Sequence, residues 1–208
     1  MIEKLKDGIF RIKIPFDKIY TSSFVLVEEN DAVIYDFGSN CSDAEKYIIP
    51  ELNALNVTVK YLALSHDHGD HSGGIDAMMA KYPDARVISM KGKWGEPTND
   101  GDVLLNRFKV VHLKGHSDDG MAILDMRTNT LLSGDTLQLW GVDRYKTYFT
   151  EYTPYIEALE KVKALCVDSI IASHEYEPCG AIAEGEEQIS VFLDECKRAA
   201  DYREKQEK

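Results

Sequence analysis

The sequence predicts one mixed domain of the α+β class. Three observations carry this reading. Strand-like and helix-like stretches alternate irregularly, which fits neither an all-α nor an all-β chain. No Pro/Gly/Ser-rich linker or low-complexity stretch divides residues 1–208, so a single domain is expected. With 208 residues, 44% hydrophobic and 29% charged, the chain can bury a sizeable core under an ordinary surface.

The elements follow in order. Residues 8–14, 23–27 and 32–35 read as strands, and Glu28-Glu29-Asn30-Asp31 reads as a hairpin turn between the last two. Ser42 and Glu45 form an S-x-x-E capping pattern before Ala44, Ile48, Leu52 and Leu55 at helical spacing. Pro50 predicts a kink or break in that helix. Residues 57–64 form the next strand and 75–82 a short helix. Residues 86–90, 107–113, 121–126 and 130–133 read as strands. Thr153-Pro154 reads as an N-cap plus first-turn proline, opening a helix with Ile156, Leu159, Val162 and Leu165 on one face. Residues 169–172 form the last expected strand. A final helix runs from 186 to about 203 with Ile189, Phe192, Leu193, Cys196 and Ala200 on one stripe.

Composition excludes some partners. A formal net charge of −12 repels nucleic-acid phosphates and anionic membranes. No apolar run approaches the roughly 18 residues that span a bilayer. Residues 1–7 lack the apolar core of a signal peptide. The four cysteines show no CxxC spacing. A cytoplasmic protein with reduced thiols is the expectation.

Ser65-His66-Asp67-His68-Gly69-Asp70-His71 places three of the chain's six histidines within six residues. His116, Asp135 and His174 follow singly, each in a polar turn just past an expected strand end. Imidazole and carboxylate are the donors that borderline divalent cations take. Residues two apart in an extended segment point the same way, so His66 and His68 can bind one ion together with His116. Gly69 permits the turn that brings Asp70 and His71 toward a second ion with His174. Asp135, with two oxygens, is placed to bridge the pair. Two ions about 3.5–4 Å apart share one hydroxide and polarise a substrate oxygen. Zinc is the first expectation, with iron or manganese as alternatives.

The run from His66 to His71 is H-x-H-x-D-H, followed in order by Gly115-His116, Gly134-Asp135 and Ser173-His174. These motifs resemble those of the metallo-β-lactamase fold superfamily, over nearly the whole chain. Asp36-Phe37-Gly38 is similar to the family's early D-x-G turn. The resemblance implies an αβ/βα four-layer sandwich, two mixed sheets packed face to face with helices outside. It also implies hydrolysis by a metal-bound hydroxide. Asp135 stands where some metallo-β-lactamases carry a ligand cysteine, and His68 stands where flavodiiron proteins carry glutamate. Gly134-Asp135-Thr136-Leu137 is similar to the glyoxalase II-like branch. About 34 residues follow His174, too few for the helical domain that contacts glutathione in that branch. RNA-processing relatives need an exosite arm and a basic surface, and neither is evident.

Beyond the ligands, Asp70 is the candidate catalytic residue, and Asp36 is expected to orient a ligating imidazole. Arg144, Tyr145 and Tyr148 are candidate substrate contacts in an aromatic stretch, Trp140 to Tyr152, that follows Asp135. His112 reads as an ordinary strand histidine. Asp67 is expected to point away from the ions, and Asp118-Asp119 reads as a polar turn. The expected function is a binuclear hydrolase of a small ester, thioester or lactone. A small-nucleotide phosphodiesterase and a non-catalytic metal-binding sensor are the alternatives. The oligomeric state is left open.

Overall fold

The computed structural model describes residues 2–17, 19–137, 149–176 and 180–206. Two mixed sheets occupy successive halves of the chain. The first holds β1 (Ile2–Lys6), β2 (Ile9–Phe16), β3 (Ile19–Glu28), β4 (Asp31–Tyr35), β5 (Thr58–Ala63), β6 (Arg86–Ser89) and β7 (Glu96–Pro97), each paired with the next. The second holds β8 (Val103–Leu104), β9 (Phe108–His112), β10 (Met121–Asp125), β11 (Thr130–Leu132), β12 (Ser169–Tyr176) and β13 (Gly180–Glu184). The sheets meet where Glu175 of β12 pairs with Tyr20 of β3.

Alternation along the strands builds the layers, because neighbouring side chains leave a sheet on opposite faces. In β3 and β4, Phe24, Leu26, Val33 and Tyr35 face the other sheet, where Val110, Ile123, Leu132 and Ile171 meet them. Val25, Ala32 and Ile34 face outward, under a helical run of α1 (Cys41–Asp43), a π turn (Ala44–Ile48) and α2 (Ile49–Leu55), and under α4 (Ile75–Lys81). Between them in sequence lies one helical turn, α3 (Gly69–Ser72). On the far side, Val111, Ala122, Leu131 and Ile170 face α5 (Tyr152–Ala164) and α6 (Gly185–Gln206). This is the four-layer sandwich expected from the motifs.

Several local expectations are corrected. The cap of α1 is Asn40, not Ser42. Its side chain accepts from Asp43 N–H at 3.1 Å, and Asp43 reaches back to Ser39 N–H at 2.9 Å. Pro50 does not break the helical run. It falls in the first turn of α2, where a missing N–H costs nothing, and the π turn before it absorbs the register change. α5 starts at Tyr152 and its cap is the extended Glu151, two residues ahead of the expected Thr153 cap. β1, β7, β8 and β13 add to the strands expected from the sequence. The strand expected to end at 172 runs on to Tyr176, because β3 and β13 supply it with partners.

One end of the sandwich is braced by charge. Arg107 is buried and donates to both oxygens of Asp125 at 2.7 and 2.8 Å. It also donates to Glu28 at 3.0 Å, to the Val27 carbonyl at 3.2 Å and to the Asp7 carbonyl at 2.5 Å. The guanidinium therefore ties the second sheet to the β1–β2 and β3–β4 turns of the first. Gly8 makes room for it: at φ 70°, a Cβ would stand 2.6 Å from Arg107 Nη1. The histidine-bearing turns lie at the other end, after β5 and β9.

Candidate metal centre

The histidine-rich segment leaves β5 and turns at once into α3. His68 is the extended residue before that turn, and Asp70 and His71 lie within it. His116 follows β9, Asp135 follows β11, and His174 lies inside β12 rather than past its end. Strands of both sheets thus deliver side chains to one rim.

The side chains gather in two groups. In the first, His116 Nε2 is 3.3 Å from His66 Nε2 and 3.1 Å from His68 Nδ1. In the second, donor atoms of Asp70, His71, Asp135 and His174 all lie within 4.8 Å of one another. Asp135 Oδ2 is 3.0 Å from His174 Nε2, 3.4 Å from His71 Nε2 and 3.8 Å from His116 Nε2. It sits between the groups.

The other ring nitrogens are held from behind. His71 Nδ1 is 2.8 Å from Asp36 Oδ2, and Asp36 Oδ1 accepts the Ser65 N–H at 2.8 Å. Asp36 is fully buried and takes φ 69°, a conformation rare outside glycine, so the surrounding contacts fix its aim. His66 Nδ1 is 2.9 Å from Ser65 Oγ, and His174 Nδ1 is 3.1 Å from the Tyr20 carbonyl. The Phe16 ring packs 5.7 Å from that of His174.

Charge in the site is strongly coupled. Burial disfavours the charged form of His66, and nearby His71 adds to this, so its pKa lies well below the ordinary value. Burial also opposes charging of His71 and His174, but Asp135 outweighs it. The pKa of His71 is raised well above normal and that of His174 to about 9. Burial would raise the carboxyls of Asp70 and Asp135, yet His174 and His71 hold both well below the usual range. Tyr35, beneath the site, is pushed up by burial and then by Asp36, and so stays a neutral hydroxyl.

The donor set fits divalent cations. Three imidazole nitrogens face one another at 3.1–3.3 Å, close enough to share a cation. Asp135 Oδ1 is buried with no hydrogen-bond partner, a cost that coordination would remove. Nitrogen and oxygen donors suit zinc, iron and manganese alike.

Other expected residues fall elsewhere. Asp67 turns outward, accepting from Trp94 Nε1 at 2.6 Å and pairing with Lys93. His112 bonds the Asp118 carbonyl at 3.1 Å, and the Asp118 carboxylate meets Lys91 at 3.4 Å. Arg144, Tyr145 and Tyr148, with Trp140, lie outside the described residues. Phe149 is buried and stacks on Tyr155 at 5.3 Å, and the Tyr152 hydroxyl bonds Asp201. Ser65 and Tyr35 are supports that sequence reasoning misses. Ser65 stands beside the histidine cluster, and Tyr35 is the one hydroxyl in an otherwise apolar strand end.

The family model described as "Metallo-beta-lactamase superfamily" matches residues 17–93. A hydroxyacylglutathione hydrolase 1 of Vibrio vulnificus (strain YJ016) is 30% identical over 161 residues, covering 74% of this chain and 61% of that protein. An atrochrysone carboxyl ACP thioesterase of Emericella nidulans is 24% identical over 169 residues, covering 78% of this chain and 54% of that protein. The chain therefore spans about half to three-fifths of these curated relatives. Among solved structures, a metallo-beta-lactamase from Hirschia baltica superposes with a TM-score of 0.74 at 16% identity, over 96% of this chain and 97% of that one. A metallo-beta-lactamase family protein from Thermus thermophilus gives 0.73 at 18% identity, over 96% and 81%. These structural likenesses bear on the fold.

Proposed function

We propose that the chain, which resembles the metallo-beta-lactamase superfamily over residues 17–93, is a binuclear metal-dependent hydrolase of small thioesters, esters or lactones. One observation carries the two-ion reading: two donor groups meet with a single carboxylate oxygen, Asp135 Oδ2, between them. His66, His68 and His116 would hold one ion, and Asp70, His71 and His174 the other, with Asp135 shared. Zinc is the first candidate, and iron or manganese would suit the same donors. Bound there, two such cations supply a water of lowered pKa and a Lewis acid for the scissile carbonyl.

The chain's own residues supply the rest. Asp36, Ser65 and the Tyr20 carbonyl fix three imidazoles through their second nitrogens, turning the first toward the cluster. Asp70 is the more accessible carboxylate, with 16% of its side chain exposed against 7% for Asp135. Asp70 is therefore assigned to take the proton of the attacking water. Phe16 walls the His174 side. Arg144, Tyr145 and Tyr148 belong to this reading by sequence position alone. A single metallo-beta-lactamase-like domain, residues 1–208, carries the activity. Among the described residues no helix is long and apolar enough to cross a membrane, and the substrate is a small molecule. The likeness to a hydroxyacylglutathione hydrolase and an ACP thioesterase favours an acyl–sulfur bond over other esters.

The test is zinc loading and elemental analysis, then a panel of thioester, ester, lactone, β-lactam and phosphodiester substrates. Two ions per chain with thioester turnover supports the proposal. One ion or fewer at saturation, or turnover confined to phosphodiesters, overturns it.

A further inference from the structure

A hydroxyl lies beneath the metal centre, where the strand pattern calls only for apolar bulk. Tyr35 ends β4 on the face shared by the two sheets and is fully buried. Its Oη donates to the carbonyl of Met121, the first residue of β10. Met121 follows the hairpin that carries His116, which is closed by Leu113 N–H on the Gly120 carbonyl at 2.9 Å. The Met121 N–H donates to the Ser65 carbonyl at 2.6 Å. The Ser65 hydroxyl lies 2.9 Å from His66 Nδ1. A Cβ at Gly134 would stand 3.1 Å from Tyr35 Oη and 3.2 Å from Ser65 Cβ. One buried hydroxyl therefore underlies the turns that carry His66, His116 and Asp135.

We propose that Tyr35 is a positioning residue for the His66–His68–His116 ion site, acting through the Met121 peptide and Ser65. The proposal rests on the metal-centre reading above. With His66 Nε2 turned toward His116 and a cation, Nδ1 carries the ring N–H. That N–H donates to Ser65 Oγ, the Ser65 carbonyl accepts from the Met121 N–H, and the Met121 carbonyl accepts from the Tyr35 O–H. Tyr35 thus pins the peptide that pins Ser65, and Ser65 Oγ, accepting from Nδ1, selects one tautomer of His66. An imidazole held through its far nitrogen is better aimed and a stronger ligand. Ser65 Oγ is also 3.4 Å from His71 Nδ1, but Asp36 holds that nitrogen more closely, at 2.8 Å. His174 is held separately by the Tyr20 carbonyl. The effect therefore belongs to one ion of the two.

Tyr35→Phe removes one oxygen and keeps the ring. Zinc affinity is measured by competition with a chromophoric chelator. The histidine N–H resonances of the zinc-loaded protein are followed by proton NMR. The expected result is about 10–100-fold weaker binding of one ion, with the other unchanged. The His66 Nδ1–H resonance should move and exchange faster, while those of His71 and His174 stay in place. Ser65→Ala should reproduce both effects, and the double variant should be little worse than either single one. Wild-type protein that takes up no zinc overturns the metal-centre reading and this proposal with it. Wild-type protein that binds two ions, beside a Tyr35→Phe protein with the same affinities and an unmoved His66 resonance, overturns the Tyr35 proposal alone. Should Tyr35→Phe not fold, Ser65→Ala decides by the same two readouts.

Discussion

Two aspartates in similar turns face opposite ways, and the difference is testable. Asp135 Oδ2 lies between the donor groups, 3.0 Å from His174 and 3.8 Å from His116. Asp67 sits between two histidines of the motif but spends its oxygens on Trp94 and Lys93. Asp135→Ala should drop zinc from two ions to one and lower kcat by more than about 100-fold, since even supports behind the ligands typically cost 10–100-fold. Asp67→Ala should retain both ions and lose less than about tenfold, because its partners lie outside the cluster. Elemental analysis and kcat under identical loading check both, and the reverse ranking would sink the ligand assignment. The donor residues were legible because imidazoles crowded into six positions have few other uses. Ser65 and Tyr35 were not, since a hydroxyl inside an apolar run carries no spacing signal. Only the fold brings Tyr35 to Met121, 86 positions away.

At the scale of elements, the sequence marked long strands well and short ones poorly. β2 alternates over enough residues to show a two-residue period, and β3 and β4 read as apolar runs. β7 and β8 span two residues each and have no period to read. The helix caps slipped because Asn40 and Ser42 are equally good cap residues by type, and only the local geometry chooses. The Arg107–Asp125 brace was also invisible, since its partners come from separate turns. Arg107→Ala strands Asp125 in the core and should cost about 3–5 kcal/mol of stability. The zinc content of the folded fraction should not change, because the metal centre lies at the opposite end. Burial tends to raise the Asp125 carboxyl, but Arg107 overcomes it and holds the pKa below the ordinary 3.8. A depressed carboxyl contributes stability that is present above that ordinary value and is lost as pH falls through the folded-state value. Wild-type stability should therefore drop in that acid range, and Arg107→Ala should lose much of the drop. Denaturant titrations at several pH values decide it; an unaltered acid limb in the variant would count against the brace.

Across the whole molecule, the centre is closed by both sheets. His66, His68, Asp70 and His71 come from the first half of the chain, and His116, Asp135 and His174 from the second. Ions that bind only this closed arrangement stabilise it by mass action, by about 2.7 kcal/mol at one hundred times Kd. For a chain of this size that corresponds to a rise of about 5–10 °C in Tm. Scanning calorimetry with zinc and then with excess chelator measures the difference, and equal melting temperatures would show that the cations bridge nothing. Sequence order adds a further consequence. The first sheet ends at Pro97 and the second begins at Val103, so each half can zip up its own strands independently. During synthesis the earlier half emerges and folds before three of the seven donors exist. Metal capture then reports the docking of two pre-formed halves and not the birth of either, which makes it a late clock on the folding pathway.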